Sequence, residues 1–198
     1  MQSQSTVTSA PQPPRLIFGH ALEGLVRTLG PARSAQDEAA LRALSLDPEA
    51  LEVTYPLETY VSLVDYLVQS RWSQLPEAEA YAAVGRAAVL AYEDTLLGRV
   101  LLQMLRVLGP ERMLYRLTKT FRSINNFTET QVRELGPRHF EVWFNVSPRP
   151  AFTRGMLEQG LTGAGARNVC GGLMAGSDGG AVFYLRWDAS VAASQPSA

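Results

Sequence analysis

The chain has 198 residues, 46% apolar and 19% charged, which suits one globular domain with a real core. A formal net charge of −1 argues against broad attraction to nucleic acid or to an anionic membrane surface. The single cysteine, Cys170, excludes an internal disulfide and falls far short of a zinc site.

Residues 1–14, MQSQSTVTSAPQPP, have neither a basic n-region nor an apolar h-region and read as a disordered leader, not a secretory signal. The tail at 189–198 has a similar composition. The expectation is a single domain over 15–188, in the cytoplasm.

Leu16-Ile17-Phe18 reads as a short extended entry, and Leu22, Leu25, Val26 and Leu29 then recur at helical spacing up to Gly30-Pro31. Ser34 ahead of Asp37 and Glu38 predicts a capped helix carrying Leu41 and Leu44. Pro56 is placed in the first turn of the next helix, whose face is Tyr60, Leu63, Val64 and Leu67, ending near Trp72. Pro76 opens another helix, with Glu77 and Glu79 near its N-terminus.

The stretch from Ala87 to Leu108 is the most apolar. Glu93, Asp94, Arg99 and Arg106 interrupt it, so it is not read as a membrane span. Between Leu96 and Leu108 the polar positions Gly98, Arg99, Gln103 and Arg106 share one narrow stripe. That predicts a central helix covered on most sides. Gly109-Pro110 ends it, and a short helix with Met113, Leu114 and Leu117 inward follows.

The period then changes to two. Phe127–Leu135 alternates, Gly136-Pro137 turns, and Phe140, Val142, Phe144 and Val146 form the apolar face of a second strand. Phe152, Met156, Leu157 and Leu161 mark a helix closed by Gly163 and Gly165. Two more strands, 167–174 and 180–187, flank Ser177-Asp178-Gly179-Gly180, a strong hairpin signal. The fold class is α+β: an N-terminal bundle of about five to six helices packed on a small, mostly antiparallel ββαββ sheet.

Residues suited to chemistry are few. His20 and His139 stand apart, with no second His, Cys or carboxylate at metal spacing, so no metal site is assigned. Glu93-Asp94 are adjacent on a helix and point apart; an ion pair or a solvated edge fits them better than acid–base work. Cys170, beside Val169 and Gly171 in a strand, is expected to be a half-buried structural thiol. No nucleophile elbow or phosphate-binding glycine loop occurs. The candidate site is the junction Phe121–Glu129. There Arg122, Asn125 and Asn126 either shape a turn, through the left-handed tolerance and side-chain bonds of asparagine, or orient a ligand between the layers, Arg122 then anchoring an anionic group.

The runs TLLGRVLLQMLRVLGPERML, FRSINNFTETQVRELGPRHFEVWFN and TRGMLEQGLTGAGARNV, with the opening IFGHALEGLVRTLG, resemble a paralogous family of about this chain's length expanded in myxobacteria and catalogued as a domain of unknown function. The order of elements is more loosely similar to the ligand-binding fold shared by haem-nitric-oxide sensors and four-vinyl-reductase or trafficking-particle domains. The looser likeness implies a ligand held between helices and sheet. With no histidine at a matching proximal position, no cofactor is assigned, and a small apolar or lipid-like ligand suits the chain better than haem.

Three functions follow as expectations. The first is a non-enzymatic ligand-binding or sensory module. The second is a protein-interaction adaptor or homodimerising scaffold, using the aromatic last strand with Trp187, and Trp143. The third is an enzyme, which requires a deep pocket uniting Arg99, Glu93 or His20 with a carboxylate.

Overall fold

The computed structural model describes residues 13–176 and 179–188. The leader up to residue 12, the tail at 189–198 and Ser177-Asp178 of the expected hairpin turn lie outside the described residues.

The entry strand β1 (Leu16–Phe18) runs straight into α1 (Gly19–Arg27), and α2 (Ala35–Ala43) follows. Ser34 caps α2 as its spacing to Asp37 predicts. Its Oγ accepts from the Asp37 N–H at 3.1 Å, and the Asp37 carboxylate accepts from the Ser34 N–H at 2.8 Å. The same carboxylate is fully buried and accepts from the Tyr66 hydroxyl at 2.7 Å and from Arg71 at 2.8 Å. Burial alone would push Asp37 up. The bonds from Ser34, Tyr66 and Arg71 outweigh it and hold the carboxyl well below the usual range. This charged node fastens α2 to α3 (Leu57–Arg71).

A second short strand, β2 (Thr54–Pro56), pairs antiparallel with β1. Sequence periodicity does not reveal it, because three residues are too few for an alternation to register. Pro56 ends this strand and caps α3, instead of sitting in the helix's first turn. Next come α4 (Glu77–Glu93), α5 (Leu96–Leu108), α6 (Pro110–Tyr115) and α7 (Leu117–Arg122). The expected single helix after Gly109 divides in two at Arg116, giving seven helices ahead of the sheet among the described residues.

The sheet matches the ββαββ expectation. Strands β3 (Thr130–Gly136) and β4 (His139–Phe144) form one hairpin, and α8 (Pro150–Gly163) then leads to β5 (Arg167–Ala175) and β6 (Ala181–Asp188). All pairings are antiparallel, in the order β3-β4-β6-β5. Phe140, Val142, Phe144, Phe183 and Leu185 are buried on one face. Trp187 is buried with them, stacked on Phe140 at 5.3 Å, whereas Trp143 lies half-buried on the other face. Among the described residues no helix is long and apolar enough to cross a membrane.

Two expectations about burial are overturned. Cys170 is exposed. A bulge between Arg167 and Cys170 adds one residue to β5, so Cys170 pairs with outward-facing Arg186 and not with inward-facing Leu185. A one-residue shift swaps the faces of a strand. Nor is α5 the central helix. It buries Gly98, Leu102 and Leu105, but Leu96, Val100 and Val107 are 79%, 62% and 87% exposed. The narrow polar stripe is no guide here, because the surface-facing part of α5 is itself apolar.

The central helix is α4, with α1 on one side and α8 on the other. A Cβ on Gly85 would come within 2.1 Å of the Phe152 carbonyl oxygen, and one on Gly155 within 2.0 Å of the Ala82 carbonyl oxygen. The two backbones therefore touch. Ion pairs Arg86–Glu158 (2.8 Å) and Arg154–Glu79 (2.7 Å) flank this crossing. Phe152 of α8 belongs to the core of the helical half, while Leu157 and Leu161 belong to the core under the sheet. Gly85→Ala and Gly155→Ala are each expected to lower stability by about 1–3 kcal/mol, because neither carbonyl yields without parting the helices. Gly163→Ala, whose Cβ would meet only Glu93 Oε1 at an ordinary 3.7 Å, should be neutral or slightly stabilising. Urea unfolding of the three variants checks this.

Candidate ligand cavity and the helix–sheet junction

The chain turns from α7 into β3 through the junction singled out by sequence. Asn125 is buried, and its Oδ1 accepts from the Phe127 N–H at 3.1 Å and the Thr128 N–H at 2.8 Å. This side-chain turn redirects the backbone. Asn125 also makes a β-bridge to Ile17. Asn126 accepts from the Leu16 N–H at 2.9 Å and donates to the Pro14 carbonyl at 3.0 Å, so it pins the chain entry to the junction. Arg122 donates to the Asn126 carbonyl and, at 3.0 Å, to Glu129 Oε1. The structure thus brings the three residues together and engages all of them in holding the loop. Of the three, Asn125 reaches a cavity wall.

Two apolar cavities adjoin at the junction, one among the helices and one reaching the end of β4. The larger, about 110 Å³, is walled by α4, α5, α7 and α8, with Val89, Leu101 and Leu157 among its lining. The smaller, about 50 Å³, is walled by α3, the junction and the end of β4. Ala21, Tyr60, Phe121, Ile124 and Met156 line both, so the two spaces adjoin. Tyr60 leans edge-on against Phe152 at 5.8 Å between ring centres. Burial pushes its phenol well above the ordinary tyrosine range. Sequence reading placed Tyr60 and Met156 on core-facing helix positions and did not single them out. An aromatic or thioether lining a void and one filling a core give the same periodic signal.

Beside the smaller cavity, Arg149 holds Asp65, with its Nε 2.6 Å from Oδ1, and the Tyr81 hydroxyl donates to the same Oδ1 at 2.8 Å. Burial works to raise Asp65, but the Arg149 and Tyr81 bonds outweigh it and set it below its ordinary value. Arg149 is thus committed to a neighbouring carboxylate. The remaining candidates are dispersed. His20 packs against Phe18 and Tyr92, at 6.1 and 6.4 Å between ring centres, while His139 starts β4 opposite Arg186. Glu93 pairs with Arg106 at 3.1 Å, as an ion pair within the bundle. Asp94 caps the end of α4. Among the described residues no group of three or more His, Cys, Asp or Glu could hold a metal ion.

The chain belongs to a family of proteins of unknown function, DUF2378, whose model matches residues 15–188. No curated protein matches it in sequence. Solved structures with a similar fold include H-NOX proteins. One from S. oneidensis, in the Fe(II)NO ligation state, has a TM-score of 0.60 and 10% identity, covering 87% of this chain and 100% of that one. Another, Fe(II) unliganded, from K. algicida, has a TM-score of 0.53 and 10% identity, covering 89% and 99%. The likeness is one of fold, and it agrees with the looser resemblance read from element order.

Asn125→Ala strands two backbone N–H groups, one of them on buried Thr128, and should cost about 1–3 kcal/mol. Arg122→Ala, at an exposed pair, should change stability by less than about 0.5 kcal/mol. Thermal unfolding of both variants measures the difference.

Proposed function

We propose that this chain is a non-enzymatic ligand-binding or sensory module of the cytoplasm that takes a small apolar or lipid-like ligand between its helices and its sheet. The observation that carries this reading is the adjoining pair of apolar cavities with Tyr60 and Met156 at their shared wall. In this reading Asn125 supplies polar wall to the smaller cavity, and Arg122 and Asn126 hold the loop that closes it.

One structure of the same fold is described by its heme and its distorted porphyrin. The residues here do not fit that group. Among the described residues lining the two cavities there is no histidine and no cysteine. Tyr60 is a poor ligand to iron, because burial disfavours the phenolate. The larger cavity, about 110 Å³, is also well below the ~300–1,000 Å³ of sites for drug-sized ligands, and a porphyrin is at least that large.

Native mass spectrometry of protein purified from its host tests the proposal. Wild type should carry a co-purifying small molecule, or capture one from a panel of apolar compounds with a rise in melting temperature. Ala21→Leu, which fills the shared wall, should fold and carry nothing. A wild-type chain that captures nothing and is not stabilised by any compound refutes it.

A second reading, as a protein-interaction or dimerising module, is favoured by the outer side of α5, where Leu96, Leu97, Val100, Met104 and Val107 are exposed together. Trp187, buried in the core, takes no part in it. Sedimentation should show self-association that Val100→Glu abolishes; a strict monomer at all concentrations speaks against the homodimer.

A further inference from the structure

Tyr60 differs from Tyr55, Tyr66 and Tyr81 in what its hydroxyl meets. The Tyr66 hydroxyl donates to Asp37 at 2.7 Å and that of Tyr81 to Asp65 at 2.8 Å, while the hydroxyl of Tyr55 accepts from the Glu52 N–H at 2.8 Å. Each has a full-strength partner. The Tyr60 hydroxyl donates to Met156 Sδ at 3.9 Å. A thioether sulfur is a weak acceptor, and a phenol in an apolar interior ordinarily finds a better one. Tyr60 and Met156, the two residues of this weak bond, both line the two cavities.

The ring is also held in place. It rests on Phe152 of α8, the helix whose backbone touches α4, so the hydroxyl is presented by a rigid wall. The rest of the larger cavity's lining is mostly aliphatic and aromatic carbon. The guanidinium at the smaller cavity belongs to Arg149, which already neutralises Asp65. A charged ligand would enter an apolar space whose wall, among the described residues, has no uncommitted counter-charge, at a large desolvation cost. A neutral molecule with one oxygen would meet a donor that currently lacks a good acceptor.

Size narrows the class further. A cavity of ~150 Å³ lined by apolar side chains holds benzene. The two spaces here, about 110 and about 50 Å³, are of that order. Resting on the ligand-module reading above, we infer that the cavities bind a neutral, mostly apolar molecule of one ring or a short chain, bearing a single oxygen that accepts a hydrogen bond from Tyr60: an alcohol, phenol, aldehyde or ketone. The Met156 sulfur is the stand-in partner that the ligand oxygen displaces.

The experiment is a cycle of ligand pairs against variants, read by calorimetry on the full chain. The pairs are cyclohexanone with methylenecyclohexane, and phenol with toluene. Differences in water solubility within each pair cancel when each ligand is compared between wild type and variant. Tyr60→Phe should weaken cyclohexanone and phenol by about five- to tenfold, and leave the two hydrocarbons unchanged or slightly tighter. Tyr115→Phe, at an exposed tyrosine that lines neither cavity, should leave all four unchanged.

Equal loss of both members of a pair in Tyr60→Phe, or loss of neither, overturns the role of the hydroxyl and leaves the cavity reading standing. Wild type that binds none of the four probes overturns both.

Discussion

The rest of the structure depends on the crossing of α4 and α8 at backbone contact. Gly85 and Gly155 permit it, each lying against a carbonyl of the other helix where no Cβ has room. Close approach brings α8 into both cores at once, with Phe152 among the residues of the helical half and Leu157 and Leu161 under the sheet. A four-stranded sheet with one covered face gains its stability from what it is packed on. Here the packing partner is tied to α4, and through α4 to α1, where Gly24 rests on Ala88 and Tyr92. This stack of three helices, α1, α4 and α8, runs between the two cores and joins them.

That geometry also accounts for the cavities. The two cores meet along the line from Ala21 and Tyr60 to Phe121 and Met156, and side chains on that line must satisfy packing on both sides. Interiors are normally filled to crystal-like density, so a void persists where surrounding elements are fixed by stronger constraints elsewhere. The constraints are identifiable: the α4–α8 contact, the Asp65–Arg149 pair that anchors the start of α8 to α3, and the Asn125 turn that ties the junction to β1. None of the three relaxes easily to close the space.

Much of the fold was legible because local signals and tertiary demands agree. The Ser34–Asp37 capping box, the β3–β4 hairpin and the apolar face of β4 all appear where spacing placed them. Failures occurred where the deciding partner is remote in sequence. The strand β2 exists because β1 is beside it, and three residues carry no period of their own. Cys170 is turned outward by a bulge, which adds a residue without any compositional mark apart from the positive φ of Asn168. The helix α5 has an apolar pattern on nearly all sides, and the pattern states only that its surfaces favour burial. It does not state that the fold supplies a cover for each. The candidate site divides along the same line. Asn125 advertised itself as a turn residue and is one, at the cavity edge. Tyr60 gave no signal, since its distinction lies in the sulfur and the space it faces.

The placement of the cavities bears on how binding would be felt by the rest of the molecule. Their walls come from α1, α3, α4, α5, α7, α8 and the junction, drawn from both cores. A ligand there gains contacts with both halves simultaneously and so stabilises their present arrangement relative to any in which they part. A ligand shifts an equilibrium only by its differential affinity for the two states. α5 is the wall covered on one side only, and at its C-terminal end Arg106 ties it to Glu93 of α4 and the carbonyl of Gly163. Its inner residues Leu101, Leu102 and Leu105 face the larger cavity, and its outer residues Val100, Met104 and Val107 face outward. Occupancy of the cavity and presentation of the apolar outer face are therefore properties of the same thirteen-residue helix. The two proposed readings, ligand binding and self-association, thus concern opposite faces of one element, so substitutions on either face of α5 separate them.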